Sequence, residues 1–198
     1  DWLISGKTEC PSDVSLNNRR YRVYGTTVRA DDSRGTLLGV LYFSDLTELY
    51  QIRDEYIRSR PVVSIILVDN YEELTMNLSE SAISTMNAEI NDTITRWTDP
   101  YNGMLRKLER NRFLFVFEKR YLEEAQNQKF PLLEDIHNVV NPLGLAASIS
   151  FGLGVDGASF EESYNFAALS IEMALSRGGD QAVIKDRLNF TFYGGRAK

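Results

Sequence analysis

Asp69 is where chemistry would start in this 198-residue chain. It closes the apolar run Val62-Val63-Ser64-Ile65-Ile66-Leu67-Val68. A carboxylate at the end of such a strand can hold a divalent cation for phosphoryl chemistry, which works by positioning phosphates and neutralising their charge. A second carboxylate, Glu109, lies in the polar turn Glu109-Arg110-Asn111-Arg112. With Asp69 it would make a shifted pair of metal ligands, sufficient for weak nucleotide binding or triphosphate hydrolysis. The alternative for Asp69 is a turn or helix cap, because a motif needs its geometric context. A third feature, Arg177-Gly178-Gly179-Asp180, has glycines through which backbone can approach a phosphate. Its position after a helical pattern assigns it instead to a glycine C-cap.

The elements that must position these residues alternate between strand and helix. Residues 62–68 are apolar on both faces, as in a central strand. Ser79 caps a helix whose inward face is Ile83, Met86, Ile90, Ile94 and Trp97, ended by Asp99-Pro100. Residues 104–108 and 113–117 flank the polar turn as a β-hairpin. A helix over about 131–140 turns Leu132, Leu133, Ile136 and Val140 inward, and Ala147, Ile149 and Phe151 alternate as a strand. Ser159-Phe160-Glu161-Glu162 is a capping box opening a helix with Tyr164, Ala168, Ile171 and Leu175 inward. Residues 181–185 form the last predicted strand. The order β, α, β, β, α, β, α, β is an α+β, ferredoxin-like split βαβ arrangement extended by a helix and a strand.

Upstream, Tyr21-Arg22-Val23-Tyr24 alternates as a half-buried strand, residues 31–35 are turn-rich, and residues 37–43 read as a buried strand. Asp45 stands as an N-cap with Glu48 three residues on, opening a helix of about fourteen residues with Leu46, Leu49, Arg53 and Tyr56 along one stripe. Arg60-Pro61 closes that helix and marks the domain boundary. Strands and one helix cannot enclose a core, so residues 1–60 read as the tail of a larger domain.

Composition narrows the function. The 22 Lys and Arg against 28 Asp and Glu give a formal charge of −6, which opposes nucleic-acid binding by clustered basic residues. Cys10 is the only cysteine and His137 the only histidine, so neither an internal disulfide nor a multi-ligand zinc site can form, and a reducing, cytoplasmic setting fits. The Asn-x-Ser/Thr triplets at Asn77, Asn91 and Asn189 are discounted without evidence of secretion. The longest apolar runs are about seven residues, below the ~20 needed to span a bilayer. The chain opens on Asp1-Trp2 without a start methionine, as a piece of a longer protein would.

Two segments resemble diguanylate cyclases in register. Leu67-Val68-Asp69-Asn70-Tyr71 resembles that family's Asp-x-Asp-x-Phe, with Leu67 in place of the metal-binding first acid and Asp69 as the second. Lys107-Leu108-Glu109-Arg110-Asn111-Arg112-Phe113 resembles Arg-x-Gly-Gly-Asp-Glu-Phe. Glu109 and Arg110 replace the two glycines there, and Asn111 and Arg112 the acidic pair. The positions that contact guanine fall at Thr75 and Ser84, so the resemblance implies a cyclase-type site stripped of its metal and base contacts. Residues 38–48 resemble the end of a PAS domain, where a strand runs through an Asp-x-Thr junction into a signalling helix.

Taken with Arg58-Ser59-Arg60-Pro61-Val62-Val63 and Phe192-Tyr193-Gly194-Gly195, the chain resembles the GdpP/YybT type of cyclic di-AMP phosphodiesterase. That resemblance implies a PAS tail and signalling helix over 1–60, a degenerate GGDEF domain over 61–187, and a linker over 188–198 to a DHH hydrolase module absent from this sequence. It also implies manganese on that module, haem on the PAS domain, for which no histidine is present in 1–60, and membrane helices preceding the PAS domain. The expected function is a regulatory region in the cytoplasmic portion of a bacterial cell-membrane protein, relaying sensor state to the hydrolase. Homodimerisation through the signalling helix and a nucleotide ligand are the expected partners.

Overall fold

A computed structural model describes residues 2–31 and 36–195. The chain divides into two compact units, Asp1–Ile57 and Arg58–Lys198. The first contains a three-stranded antiparallel sheet of β1 (Val14–Leu16), β2 (Arg19–Arg29) and β3 (Leu37–Asp45), followed by helix α1 (Thr47–Arg58). Asn17 and Asn18, at φ 51° and 60°, make the two-residue β1–β2 turn, since a primed turn needs left-handed backbone that asparagine tolerates. Most of the turn expected over 31–35 lies outside the described residues.

Asp45 Oδ1 accepts the Thr47 amide at 2.9 Å, and hydrogen bonds from the Thr47 hydroxyl and amide hold the Asp45 carboxyl below its ordinary range. Tyr50 donates its hydroxyl to Asp13, which also takes Arg22 Nε at 3.0 Å, and Arg20 lies 4.1 Å over the Tyr50 ring. These polar contacts seat α1, which buries no residue and leaves Leu49, Ile52 and Tyr56 exposed. The expectation of a buried strand over 37–43 is corrected: every residue of β3 is exposed, and among the described residues of this sheet only Val23 and Gly25 are buried.

The second unit runs β4 (Pro61–Val68), α2 (Tyr71–Thr75), α3 (Glu80–Thr98), β5 (Met104–Lys107), β6 (Arg112–Glu118), α4 (Leu122–Asn127), α5 (Leu132–Asp135), β7 (Ile149–Gly154), α6 (Phe160–Ser176), β8 (Gln181–Lys185) and β9 (Phe190–Gly194). Among the described residues its six strands are ordered β5-β6-β4-β7-β8-β9, with β7 and β8 the one parallel pair. Period-2 alternation sends β4 to two cores. Val62, Ile66 and Val68 join Met86, Ile90 and Ile94 of α3, with Phe113, Phe115 and Phe151; Val63, Ile65 and Leu67 meet Ala167 and Ile171 of α6.

Three expectations are corrected here. The predicted helix over 131–140 is only α5 plus the 3-10 turn Ile136–Asn138, and Val139 leaves it extended at ψ 103°. It is preceded by α4, which the sequence reading missed, and divided from it by Lys129 and Phe130 at φ 57° and 55°. The predicted inward face of α6 is displaced by about one residue: the buried positions are Ser163, Ala167, Ser170, Ile171 and Ala174, and Leu175 is 44% exposed. The linker placed over 188–198 is in part strand β9, which pairs with β8 along its whole length. Asp186 Oδ1 forms the intervening turn by accepting the Leu188 and Asn189 amides, both at 2.7 Å.

Small residues line α6 because β7 presents glycine to it. A Cβ on Gly154 would lie 1.8 Å from the Ser163 carbonyl oxygen, and one on Gly152 would lie 2.2 Å from that of Ala167. Both obstacles are helical backbone, which cannot step aside without moving α6. Gly154→Ala should therefore cost about 3 kcal/mol or more of stability, measured by denaturant unfolding, whereas Gly144→Ala at a position with open space should show only the cost of left-handed backbone.

Candidate functional site

The apolar run of β4 ends where two loops converge on it. Val68 donates its amide to the Asn111 carbonyl at 2.8 Å, and Asp69 donates its amide to the Ser148 carbonyl at 2.9 Å, so the strand end is held between the β5–β6 turn and the segment entering β7. Leu67 is 8% exposed and packs in the core beneath α6, with Leu114, Tyr164 and Ala168 around it. An apolar group occupies that position, within a cluster that includes Ala167 and Ile171 of α6.

Asp69 is committed elsewhere. Its Oδ2 accepts from Ser150 Oγ at 2.9 Å and from the Asp180 amide at 2.9 Å. A Cβ on Gly179 would fall 2.6 Å from that same oxygen, so only glycine leaves room for the carboxylate. Oδ1 is buried and has no hydrogen-bond partner. Burial pushes the Asp69 carboxyl above its ordinary range, against the opposing pull of the Asp180 and Ser150 hydrogen bonds.

The remaining sequence-derived positions divide between strand end and periphery. Asn70 is structural: Nδ2 donates to the Ala146 carbonyl at 2.8 Å and Oδ1 accepts the Ser148 amide at 3.1 Å. Asn111 and Arg112 lie beside β4, Arg112 in register with Leu67 and its Nε buried without a partner. Glu109 and Arg110 are exposed at the hairpin tip, closed by the Leu108 and Glu109 amides on the Arg112 carbonyl at 2.9 and 3.1 Å. Thr75 donates to the Tyr71 carbonyl within α2 at 3.0 Å, and Ser84 is exposed on α3. Leu67, Asp69, Asn111 and Arg112 thus meet at one strand end, while Glu109, Thr75 and Ser84 stand on other elements.

These residues do not fit a catalytic divalent cation. Among the described residues no group of three or more His, Cys, Asp or Glu side chains is placed to hold one, and an arginine and a leucine stand at the strand end. Of the pair Asp69 and Glu109, Asp69 is engaged by Ser150 and the Asp180 amide, and Glu109 is exposed at the hairpin tip.

Sequence reasoning missed the partners that define the site. Gly178 and Gly179 do end α6, with their amides on the Leu175 and Ala174 carbonyls at 3.0 and 2.9 Å. The turn goes further, since Asp180 continues it at φ 56° and presents its amide to Asp69. His137 meets Asp180 Oδ1 through Nε2 at 2.9 Å, and both side chains are 29% exposed. The signal was the Arg177-Gly178-Gly179-Asp180 string itself, which a cap explains only in part.

The sheet order and its two helical layers define a nucleotide-cyclase-type GGDEF fold. The GGDEF domain of FimX from Pseudomonas aeruginosa superimposes with a TM-score of 0.55 at 18% identity, over 70% of this chain and 91% of that one. The active GGEEF domain of a diguanylate cyclase from Vibrio cholerae gives 0.56 at 12% identity, over 69% and 89%. More particularly, residues 66–191 match the family model described as cyclic-di-AMP phosphodiesterase GdpP-like, GGDEF domain, and the chain belongs to that family. It is 34% identical over 195 residues to the cyclic-di-AMP phosphodiesterase GdpP of Bacillus subtilis (strain 168), spanning 98% of this chain and 28% of the relative. The cyclic-di-AMP phosphodiesterase PdeA of Listeria monocytogenes serotype 1/2a (strain 10403S) is 27% identical over 158 residues, 79% of this chain and 24% of the relative. The chain thus spans about a quarter of the length of these curated relatives.

Asp69 makes stability depend on pH in a defined direction. A carboxyl whose pKa is raised by folding contributes fully below its unfolded value, and that contribution is lost as pH rises through the folded value. Asp69→Asn keeps an acceptor for Ser150 and Asp180 without the charge. Its stability relative to wild type should therefore rise as pH climbs from about 3.5 to 7. Denaturant melts across that range measure the difference, and a flat or falling trend refutes the assignment.

Proposed function

We propose that this chain is a regulatory region of a cyclic di-AMP phosphodiesterase, in which a PAS-type tail and helix α1 pass sensor state to a GGDEF domain that no longer makes cyclic dinucleotides. The observation that carries this reading is the strand end of β4. Leu67 is sealed under α6 and Asp69 is spent on Ser150 and Asp180, so the acids that would manage metal and phosphate charge are absent or engaged. Hydrolysis belongs to the part of the protein outside this sequence, a manganese-dependent DHH module by family resemblance, with membrane anchoring upstream and the region described lying on the cytoplasmic side.

The exposed α1 residues Leu49, Ile52 and Tyr56 support pairing of that helix with its copy in a homodimer. Solvent-exposed apolar side chains at helical spacing favour association. In the intact protein, Leu49→Glu together with Tyr56→Glu should weaken the dimer in sedimentation and change the rate of cyclic di-AMP hydrolysis by about threefold or more, with GTP yielding no cyclic product before or after substitution. A wild-type protein that sediments strictly as a monomer, or hydrolysis indifferent to both substitutions, sinks the relay.

A second reading has its own support. Asp69 Oδ1 and Arg112 Nε are both buried without partners at one end of β4, and a nucleotide could satisfy them in a residual, weakly hydrolysing site. Calorimetry of the intact protein with ATP, GTP and cyclic di-AMP in magnesium or manganese tests it. Heat that disappears in Arg112→Ala supports this reading, and no heat with any of them removes it.

A further inference from the structure

The Arg177-Gly178-Gly179-Asp180 turn has a role that neither the helix cap nor the emptied metal site accounts for. Asp180 engages three different elements with three different groups. Its amide donates to Asp69 Oδ2 at the end of β4, its Oδ1 meets His137 Nε2 after α5, and its carbonyl accepts the Gly195 amide at 3.1 Å where the chain leaves β9. Gly194 and Gly195, at φ 73° and 82°, place that exit in left-handed backbone.

The His137–Asp180 pair stands at a cleft of 310 Å³ whose other walls include Phe130, Leu133, Glu134 and Gly194. Both side chains of the pair remain partly exposed, so this contact can open without breaching the core. β9 is otherwise held on the cleft side by Tyr193, whose hydroxyl takes Gln126 Nε2 at 2.9 Å and whose ring lies 5.3 Å from that of Phe130.

We propose that His137 and Asp180 form a latch on the exit strand β9. Closed, the pair fixes the turn and, through the Asp180 carbonyl, the Gly195 amide; open, it loosens β9 and the chain that leaves it. The latch rests on the relay reading above and supplies that relay with an output contact. Asp69 is its fixed side, because the amide of Asp180 is anchored there.

Glu134 Oε2 lies 3.7 Å from His137 Nδ1 on the α5 side, Asp180 faces Nε2 from the turn before β8, and Lys129 borders the cleft from the α4–α5 loop.

Hydrogen exchange on the intact protein tests the latch, with rates normalised to intrinsic exchange. His137→Ala should speed exchange of residues 190–195 by about tenfold, and Asp180→Asn, which tolerates left-handed backbone but loses the charge, by a smaller factor, with β4 and β6 unchanged. Unchanged exchange at 190–195 in either the Ala or the Asn variant, or a rise spread evenly over β4, β6 and β7, overturns the latch. Cyclic di-AMP hydrolysis by the same variants separates the two ideas: altered exchange with unaltered hydrolysis leaves the latch and removes the relay.

Discussion

The carboxylate of Asp69 is the interaction on which the second unit's architecture converges. Its Oδ2 takes a hydroxyl from β7 and an amide from the turn before β8, so one oxygen fixes the ends of three neighbouring strands. The cost is burial of a carboxyl with one oxygen unpartnered, which raises its pKa and opposes ionisation. Two hydrogen bonds offset part of that cost. The arrangement also dictates sequence at a distance, since Gly179 has to be glycine for the carboxylate to reach the Asp180 amide.

The same economy of space governs α6. Gly152 and Gly154 remove the side chains that would hold a helix away from β7, and Ser163, Ala167, Ser170 and Ala174 answer with small groups. The helix therefore lies close over β4 and β7 and closes the layer in which Leu67 sits. A metal ligand at position 67 would have to face that apolar layer. Leucine at position 67 and close seating of α6 are thus consistent features of one packing solution, and the opposite layer, with the rings of Tyr101, Phe115, Phe130 and Phe151 around Trp97, is large and aromatic.

How much of this was legible depends on the range over which the information is stored. Strand β4 was legible because both its faces are apolar, and α3 and α6 because Ser79 and Ser159 accept the Ala82 and Glu162 amides, as the local patterns indicate. The end of α5 was not, because Leu132, Leu133, Ile136 and Val140 keep helical spacing although the last of them bridges to Ala146 in extended form. Strand β9 was hidden by a boundary drawn from resemblance, although Phe190, Phe192 and Tyr193 have strand character. The inward face of α6 was read correctly at Ile171 and misread at Leu175, because close packing on glycine buries Ser163, Ala167, Ser170 and Ala174 instead. At the site, residue types were legible and pairings were not: Asp69 and Asp180 are 111 positions apart, and nothing local announces that contact.

That separation in sequence bears on how a domain can lose one activity without losing its fold. Removing an acid from a metal site leaves its remaining partner either exposed to water or buried without a counter-charge, and the second condition is costly. Here Asp69 is satisfied on one oxygen by backbone and hydroxyl donors from neighbouring strands, which need no metal. Such an arrangement is stable on its own terms, and it leaves Asp180 with a carboxylate and a carbonyl still able to engage His137 and Gly195. Asp69 is thereby tied, through the Asp180 turn, to the Gly195 amide at the exit of the edge strand β9.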